Sequence, residues 1–211
     1  MNCRNRAYFP SLIFIISLLL SACVSPLDLV AVDPPRLFEL TPKSTFDADL
    51  PDTEARLTID VPTAATGLNT ARIAVKPTPT QFEYFANASW VDVVPVMAQT
   101  LLLESFDNSE KLNVLERGSY GLRADYGLVV NIREFQAEYA DDGSPDVQIR
   151  FQVRLVEMPR RKTIAATSVV GLAQSTSRKM NDIVIAFDEA FGRATKDLVS
   201  WTLRRIDQET D

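Results

Sequence analysis

Apolar and polar residues alternate with period two through the second half of the chain. Tyr126, Leu128, Val130 and Ile132 alternate with Gly127, Val129, Asn131 and Arg133, and Phe135, Ala137 and Tyr139 resume the alternation one residue out of phase, as a β-bulge produces. Val147, Ile149, Phe151, Val153 and Leu155 alternate without a break against Gln148, Arg150, Gln152 and Arg154. Ile164, Ala166, Ser168, Val170 and Leu172 give a weaker version of the same pattern. Asp141 to Pro145 and Pro159 to Lys162 have turn composition. The pattern predicts three long antiparallel strands joined by hairpins, each with an apolar and a wetter face.

Shorter strand patterns precede them. Arg36 to Leu40 is one, followed by a polar loop to about Glu54. Leu57, Ile59 and Val61 alternate with Arg56, Thr58 and Asp60 up to Pro62, and a turn containing Gly67 leads to Arg72–Lys76, ended by Pro77. Gln81–Phe85 reads as a strand edge or hairpin arm, and Leu112, Val114 and Leu115 as a further strand. The spacing changes between these. Val94, Met97, Ala98, Leu101, Leu102 and Phe106 recur at three- and four-residue steps, which predicts an amphipathic helix of about 15 residues ending near Asp107–Asn108. Asp92 is its expected cap, since Pro95 fits a first turn. Ile183, Phe187, Ala190, Phe191, Ala194, Leu198 and Trp201 line one side of a last helix capped by Asn181. The expected fold is α+β: a mostly antiparallel sheet with two amphipathic helices packed on one face.

The chain start has a different character. Arg4 and Arg6 precede an almost wholly apolar run from Ser11 to Leu20, then Ser21, Ala22 and Cys23. This has the form of a secretory leader, and its apolar run is about half of the ~20 residues a membrane-spanning helix requires. Leu20-Ser21-Ala22-Cys23 resembles the lipobox of bacterial lipoproteins, which implies a signal peptide over residues 1–22, cleavage before Cys23, and acyl chains (diacylglycerol and palmitate-like) on Cys23. Val24 stands where an aspartate signals inner-membrane retention, so the resemblance points to the outer membrane of a Gram-negative bacterium, on its periplasmic face. Residues 23–35, rich in Ser, Pro and Asp and ending in Asp33-Pro34-Pro35, are expected to be an extended tether, and 36–207 a single domain.

Composition narrows the chemistry. The 22 basic and 28 acidic residues give a net charge of −6, and loss of Arg4 and Arg6 with the leader would take it to −8. No nucleic acid partner is expected of so acidic a chain, because such binding rests on neutralising phosphates. Histidine is absent, which removes the commonest general base and metal ligand, and Cys3 and Cys23 are the two cysteines. No disulfide, metal site, cofactor or catalytic residue is expected, no carboxylate pair is singled out by spacing, and the chain is read as no enzyme.

The ordered motifs are those of a known family. The lipobox, Phe38-Glu39-Leu40-Thr41-Pro42, Leu57-Thr58-Ile59-Asp60-Val61-Pro62, Ala71–Lys76, Tyr84 and Trp90 ahead of the first helix, the strand from Ala124 to Phe135 and the closing helix together resemble the auxiliary lipoproteins of ABC-type transport systems, including the paraquat-inducible type. The resemblance implies a membrane-anchored periplasmic auxiliary or docking subunit. Its implied partners are an MCE-domain protein and an ABC permease and ATPase that move phospholipid or related lipid. The alternative is a structural outer-membrane lipoprotein that assists envelope, outer-membrane protein or lipopolysaccharide assembly. Tyr84, Phe85 and Trp90, with Phe82, are candidates for a partner interface, as aromatic residues are enriched there; the same residues equally pack a sheet edge on a helix. Arg150, Gln152 and Arg154 line either a partner-facing or a solvated surface, and Met97, Leu101 and Leu102 either a lipid groove or the core. The edge of Arg36–Leu40 could pair with a second copy and build a homo-oligomer.

Overall fold

In the computed structural model, which describes residues 34–115, 123–139 and 143–210, nine strands and two helices follow one another. They are β1 (Arg36–Phe38), β2 (Arg56–Ile59), β3 (Thr63–Ala64), β4 (Arg72–Thr78), β5 (Gln81–Trp90), α1 (Val94–Asn108), β6 (Asn113–Leu115), β7 (Tyr126–Glu138), β8 (Asp146–Glu157), β9 (Lys162–Gln174) and α2 (Met180–Thr210). The expected leader, Cys23, the tether up to residue 33, residues 116–122 and Asp141–Asp142 lie outside the described residues.

One edge of β7 is paired antiparallel along its whole length to β8, which pairs antiparallel to β9. Its other edge is shared, in order, by β2, β3 and β4, all parallel to it. β4 continues antiparallel to β5, β5 parallel to β1, and β2 parallel to β6. The sheet is therefore mixed, which corrects the mostly antiparallel expectation. Hairpins can be read from local alternation. The parallel ladders join segments about 60 residues apart, Leu57 with Tyr126 and Ala74 with Gln136, and nothing in a local period records that.

The bulge falls at Arg133, where the register slips between Ile132 and Glu134. Leu128, Val130 and Ile132 before it and Phe135 and Ala137 after it are all buried. An extra residue leaves backbone groups without ladder partners. Gln136 answers this: its Oε1 accepts the Phe135 amide at 2.8 Å, and its Nε2 donates to Glu138 at 2.8 Å.

The third strand is out of the expected phase. A second irregularity between the Leu155 and Val156 pairs aligns Phe151 with Val169, Ile149 with Gly171 and Val147 with Ala173. Directly paired residues share a face, so Val169, Gly171 and Ala173 turn to the core while Val170 and Leu172 turn outward.

Both helices bury the predicted stripes, except that Trp201 is only half-buried. α2 lies on β8 and β9, α1 contacts β2 and β6, and the two helices touch. The start of α1 differs from expectation: Val93, without a side-chain cap, is the N-cap, Asp92 Oδ1 accepts the Val93 amide at 2.6 Å, and Thr70 O takes the Val94 amide at 3.1 Å. Asn181 likewise falls inside the first turn of α2, where it accepts from Arg36, while Ser177 donates to Asp182 just ahead.

The stretch expected to be a polar loop is an extended strap along α2. Thr41 donates from N and Oγ1 to Asp188 at 2.6 and 3.0 Å; further on, Asp47 meets Lys196 at 2.6 Å and Asp49 meets Arg204 at 2.9 Å. Its other side is tied to α1, with Lys43 N donating to Ser105 Oγ and Asn108 Nδ2 to Lys43 O. Leu40 and Leu50 plug the core at its ends.

A clip joins the starts of β2 and β7. Arg56 donates to both carboxylate oxygens of Asp125 (3.0 and 2.9 Å) and its amide adds a third bond at 2.9 Å. The Arg56 side chain chiefly, helped by that amide, holds the Asp125 carboxyl below the usual range against a smaller opposing effect of burial. A depressed carboxylate contributes stability above its unfolded pKa, near 3.9, and loses it as pH falls through the folded value. The urea midpoint should therefore drop on acidification below about pH 4, and Asp125→Asn should be less stable at pH 7 with a flatter acid limb. An acid limb identical in the two proteins would remove the clip from the account.

Candidate functional site

The face of the sheet away from the helices is uncovered among the described residues. Residues paired across β4, β5 and β7 show which side chains occupy it: Ala74 aligns with Gln136 and Tyr84, and Lys76 with Glu138. Tyr84 belongs to this outer face. The guanidinium of Arg72 lies 3.7 Å over its ring, Phe82 meets it edge-on at 5.6 Å, and its hydroxyl donates to Gly67 O at 3.0 Å. Phe82, 41% exposed, and Tyr84 thus form a small rigid aromatic patch.

Trp90 is elsewhere. Simple alternation would put it beside Tyr84, but the β4–β5 register slips between Arg72 and Ala74, and Asn87 adopts φ 54°. The slip reverses the parity of the strand. Trp90 is 1% exposed, edge-on to Phe135 at 6.0 Å and to Phe187 at 5.1 Å. Phe85 is half-buried against the same core. Of the three interface candidates, Tyr84, like Phe85, is half-buried and packed against the core, and Trp90 is fully buried. Met97, Leu101 and Leu102 are buried in the core.

The middle of the outer face is an ion-paired belt that composition alone did not single out. Glu134 accepts from Arg150 at 2.7 Å and from Gln148 at 2.6 Å; Glu138 accepts from Lys76 at 3.1 Å and from Gln136. Burial alone would raise the Glu138 pKa, but the hydrogen bonds from Gln136 and Lys76 outweigh it and hold the carboxyl below its usual value. A general acid at neutral pH needs the opposite shift. Glu138 is thus held as an ionised acceptor, and Glu134 is engaged by Arg150 and Gln148, so the belt is suited to orienting a surface rather than to transferring protons.

The belt floors a groove of about 910 Å³, bounded by Thr78, Leu172 and Arg193. Farther along the face a smaller hollow of about 360 Å³ lies among Thr63, Asn131, Arg133, Gln152 and Arg154. Asn131 donates to Thr63 at 2.7 Å, while neither arginine has an ion-pair partner among the described residues. Among the described residues no helix is long and apolar enough to cross a membrane. The outer face thus carries one aromatic patch, one neutralised belt and one basic end.

A family model described as "ABC-type transport auxiliary lipoprotein component" matches residues 38–199. The chain is 33% identical over 157 residues to the uncharacterized protein bll6063 of Bradyrhizobium diazoefficiens, covering 72% of this chain and 40% of that protein. The chain thus spans about 40% of the length of the curated relative it matches. Protein XCC0632 of Xanthomonas campestris has a crystal structure with a TM-score of 0.78 at 25% identity, covering 83% of this chain and 98% of that one. The structure of the hypothetical protein CT253 of Chlamydia trachomatis, TM-score 0.50 at 10% identity over 73% of this chain and 98% of that one, shares the fold alone.

Proposed function

Because the chain belongs to the family of ABC-type transport auxiliary lipoproteins, we propose that it is the docking subunit of an MCE-type ABC transport system, anchored through Cys23 at the periplasmic face of the outer membrane. In this reading it moves no cargo and hydrolyses no nucleotide. It holds an MCE-domain protein, and through it the permease and ATPase, so that phospholipid or a related lipid can cross the envelope. The observation that carries the reading is the family match across 38–199, which runs from the strap through nearly all of α2. The family is one of transport auxiliaries rather than of enzymes, and the pinned glutamates of the outer face are consistent with that.

The test is affinity capture of the full chain from gently solubilised envelopes, with mass spectrometry of proteins and lipids. An MCE-domain protein or its permease is the expected companion. Arg72→Ala with Tyr84→Ala, which dismantles the aromatic patch, should reduce its recovery by at least about tenfold if the patch is an anchor, since aromatic anchors are each worth about 2 kcal/mol or more, roughly thirtyfold in affinity. Capture of barrel-assembly factors in place of transporter components would sink the proposal and favour a structural role.

A further inference from the structure

Among the described residues, β9 is the last strand on its side of the sheet and pairs with β8 alone. Ser175 N donates to Pro145 O, on the β8 side, and Leu172 O is taken by Arg193 from outside, so the even-numbered residues of β9 turn their backbone groups away from β8. The amides and carbonyls of Ala166, Ser168 and Val170 therefore form a free edge.

Natural sheet edges are guarded by charge, proline or bulges, because an open row of N–H and C=O groups templates another strand. Here the guards stand at the two ends. The register irregularity lies beside Ile164, and Arg193 covers the Leu172 carbonyl. Between them Thr163 to Ala173 contains no charged residue and no proline. Val170 and Leu172, 36% and 52% exposed, stand on the outer face of this stretch. Beside it Arg154, Arg161 and Lys162 have no ion-pair partner among the described residues, on a chain whose net charge is −6.

We propose that the free edge of β9 adds an extended, acidic segment of a partner polypeptide as a further strand of the sheet. Backbone groups of Ala166, Ser168 and Val170 supply the ladder, Val170 and Leu172 receive apolar side chains, and the unpaired cations receive carboxylates; strand addition divides affinity and selectivity in this way. The same edge of a second copy fits poorly, since its uncharged stretch brings no carboxylates to those cations. The inference takes its biological setting from the docking reading but stands on the edge itself: peptide binding without any captured transporter would leave it intact.

The experiment uses the full chain in detergent micelles and fluorescein-labelled decapeptides of alternating valine and glutamate, of valine and lysine, and of the glutamate sequence N-methylated at alternate residues. Fluorescence anisotropy reads binding, and amide exchange reads the edge. The glutamate peptide should bind at least tenfold more tightly than the other two and slow exchange at Ala166, Ser168 and Val170. Ser168→Pro should abolish binding with little change in melting temperature, because that N–H serves no ladder bond in the fold. Val170→Asp, should the proline variant not fold, places a charge of the peptide's own sign on the edge and should also abolish binding. Arg154→Glu with Lys162→Glu should reverse the preference toward the lysine peptide. Failure of the glutamate peptide to bind, or equal binding of all three peptides, overturns the proposal. So does a multimeric free chain whose edge amides are already slow, since a second copy would then own the edge.

Discussion

Gly171→Ala should lower the melting temperature of the domain by roughly 6–12 °C, a loss of about 3 kcal/mol at ~2–4 °C per kcal/mol for a chain of this size. A Cβ built on Gly171 would stand 1.8 Å from the carbonyl oxygen of Ala190, 2.7 Å from its carbon and 3.0 Å from the amide of Ala194. These are backbone atoms in the middle of α2, so no side chain can swing aside. The whole helix must lift from β9, and the packing of Phe187 and Phe191 on Phe135 and Phe151 opens with it. The loss is in packing, hence the variant should unfold with a lower midpoint while circular dichroism below the transition stays native-like. A melting temperature within a degree or two of the parent would mean that α2 does not sit this close to the sheet.

Trp90→Ala should cost about 3–5 kcal/mol, the usual range for removing a large aromatic side chain from a filled core. The indole touches Phe135 and Phe187 edge-on, and these two rings stack on one another at 5.7 Å, so its removal leaves three elements facing a void: β5, β7 and α2. Its Nε1 has no acceptor among the described residues, and Trp90→Phe should accordingly lose much less. Urea titration separates this from a contact role. A surface anchor would lose partner binding with little change in midpoint; a core residue shifts the midpoint and affects binding only as far as the fold is lost. An unchanged midpoint for Trp90→Ala would place the indole on the surface after all.

Both substitutions lie where local sequence reading was weakest. Long runs with large apolar residues, such as Val147 to Leu155 or the stripe from Val94 to Phe106, identify their own buried side because each position carries a strong transfer preference. β9 does not. Where a helix backbone rests on a strand, the inward positions must be small, and Gly171 and Ala173 give a weaker signal than their outward neighbours Val170 and Leu172. Alternation therefore selects the wrong side there. Parity fails for a second reason in β5, where the positive φ of Asn87 and the slipped register move Trp90 to the opposite face from Tyr84. Asparagine tolerates that conformation, but asparagine in a strand is too common to announce it. The outer belt was half legible: the polar alternates Arg150, Gln152 and Arg154 marked a wet face, while the carboxylate partner Glu134 becomes a neighbour of Arg150 through the β7–β8 register.

The strap along α2 also bears on the order in which the molecule can be completed. Thr41, Asp47 and Asp49 are joined to residues 147, 149 and 155 positions later in the chain. Loops of that length close slowly compared with hairpins, because the entropy of bringing distant ends together is lost before any contact compensates it. The β7–β8–β9 meander can assemble by itself from neighbouring segments, but its apolar face stays bare until α2 arrives, and the strap from Thr41 to Asp49 finds its seat after that. A nascent chain thus stays unfinished until its last turns of helix emerge, which keeps it threadable for as long as it is being made.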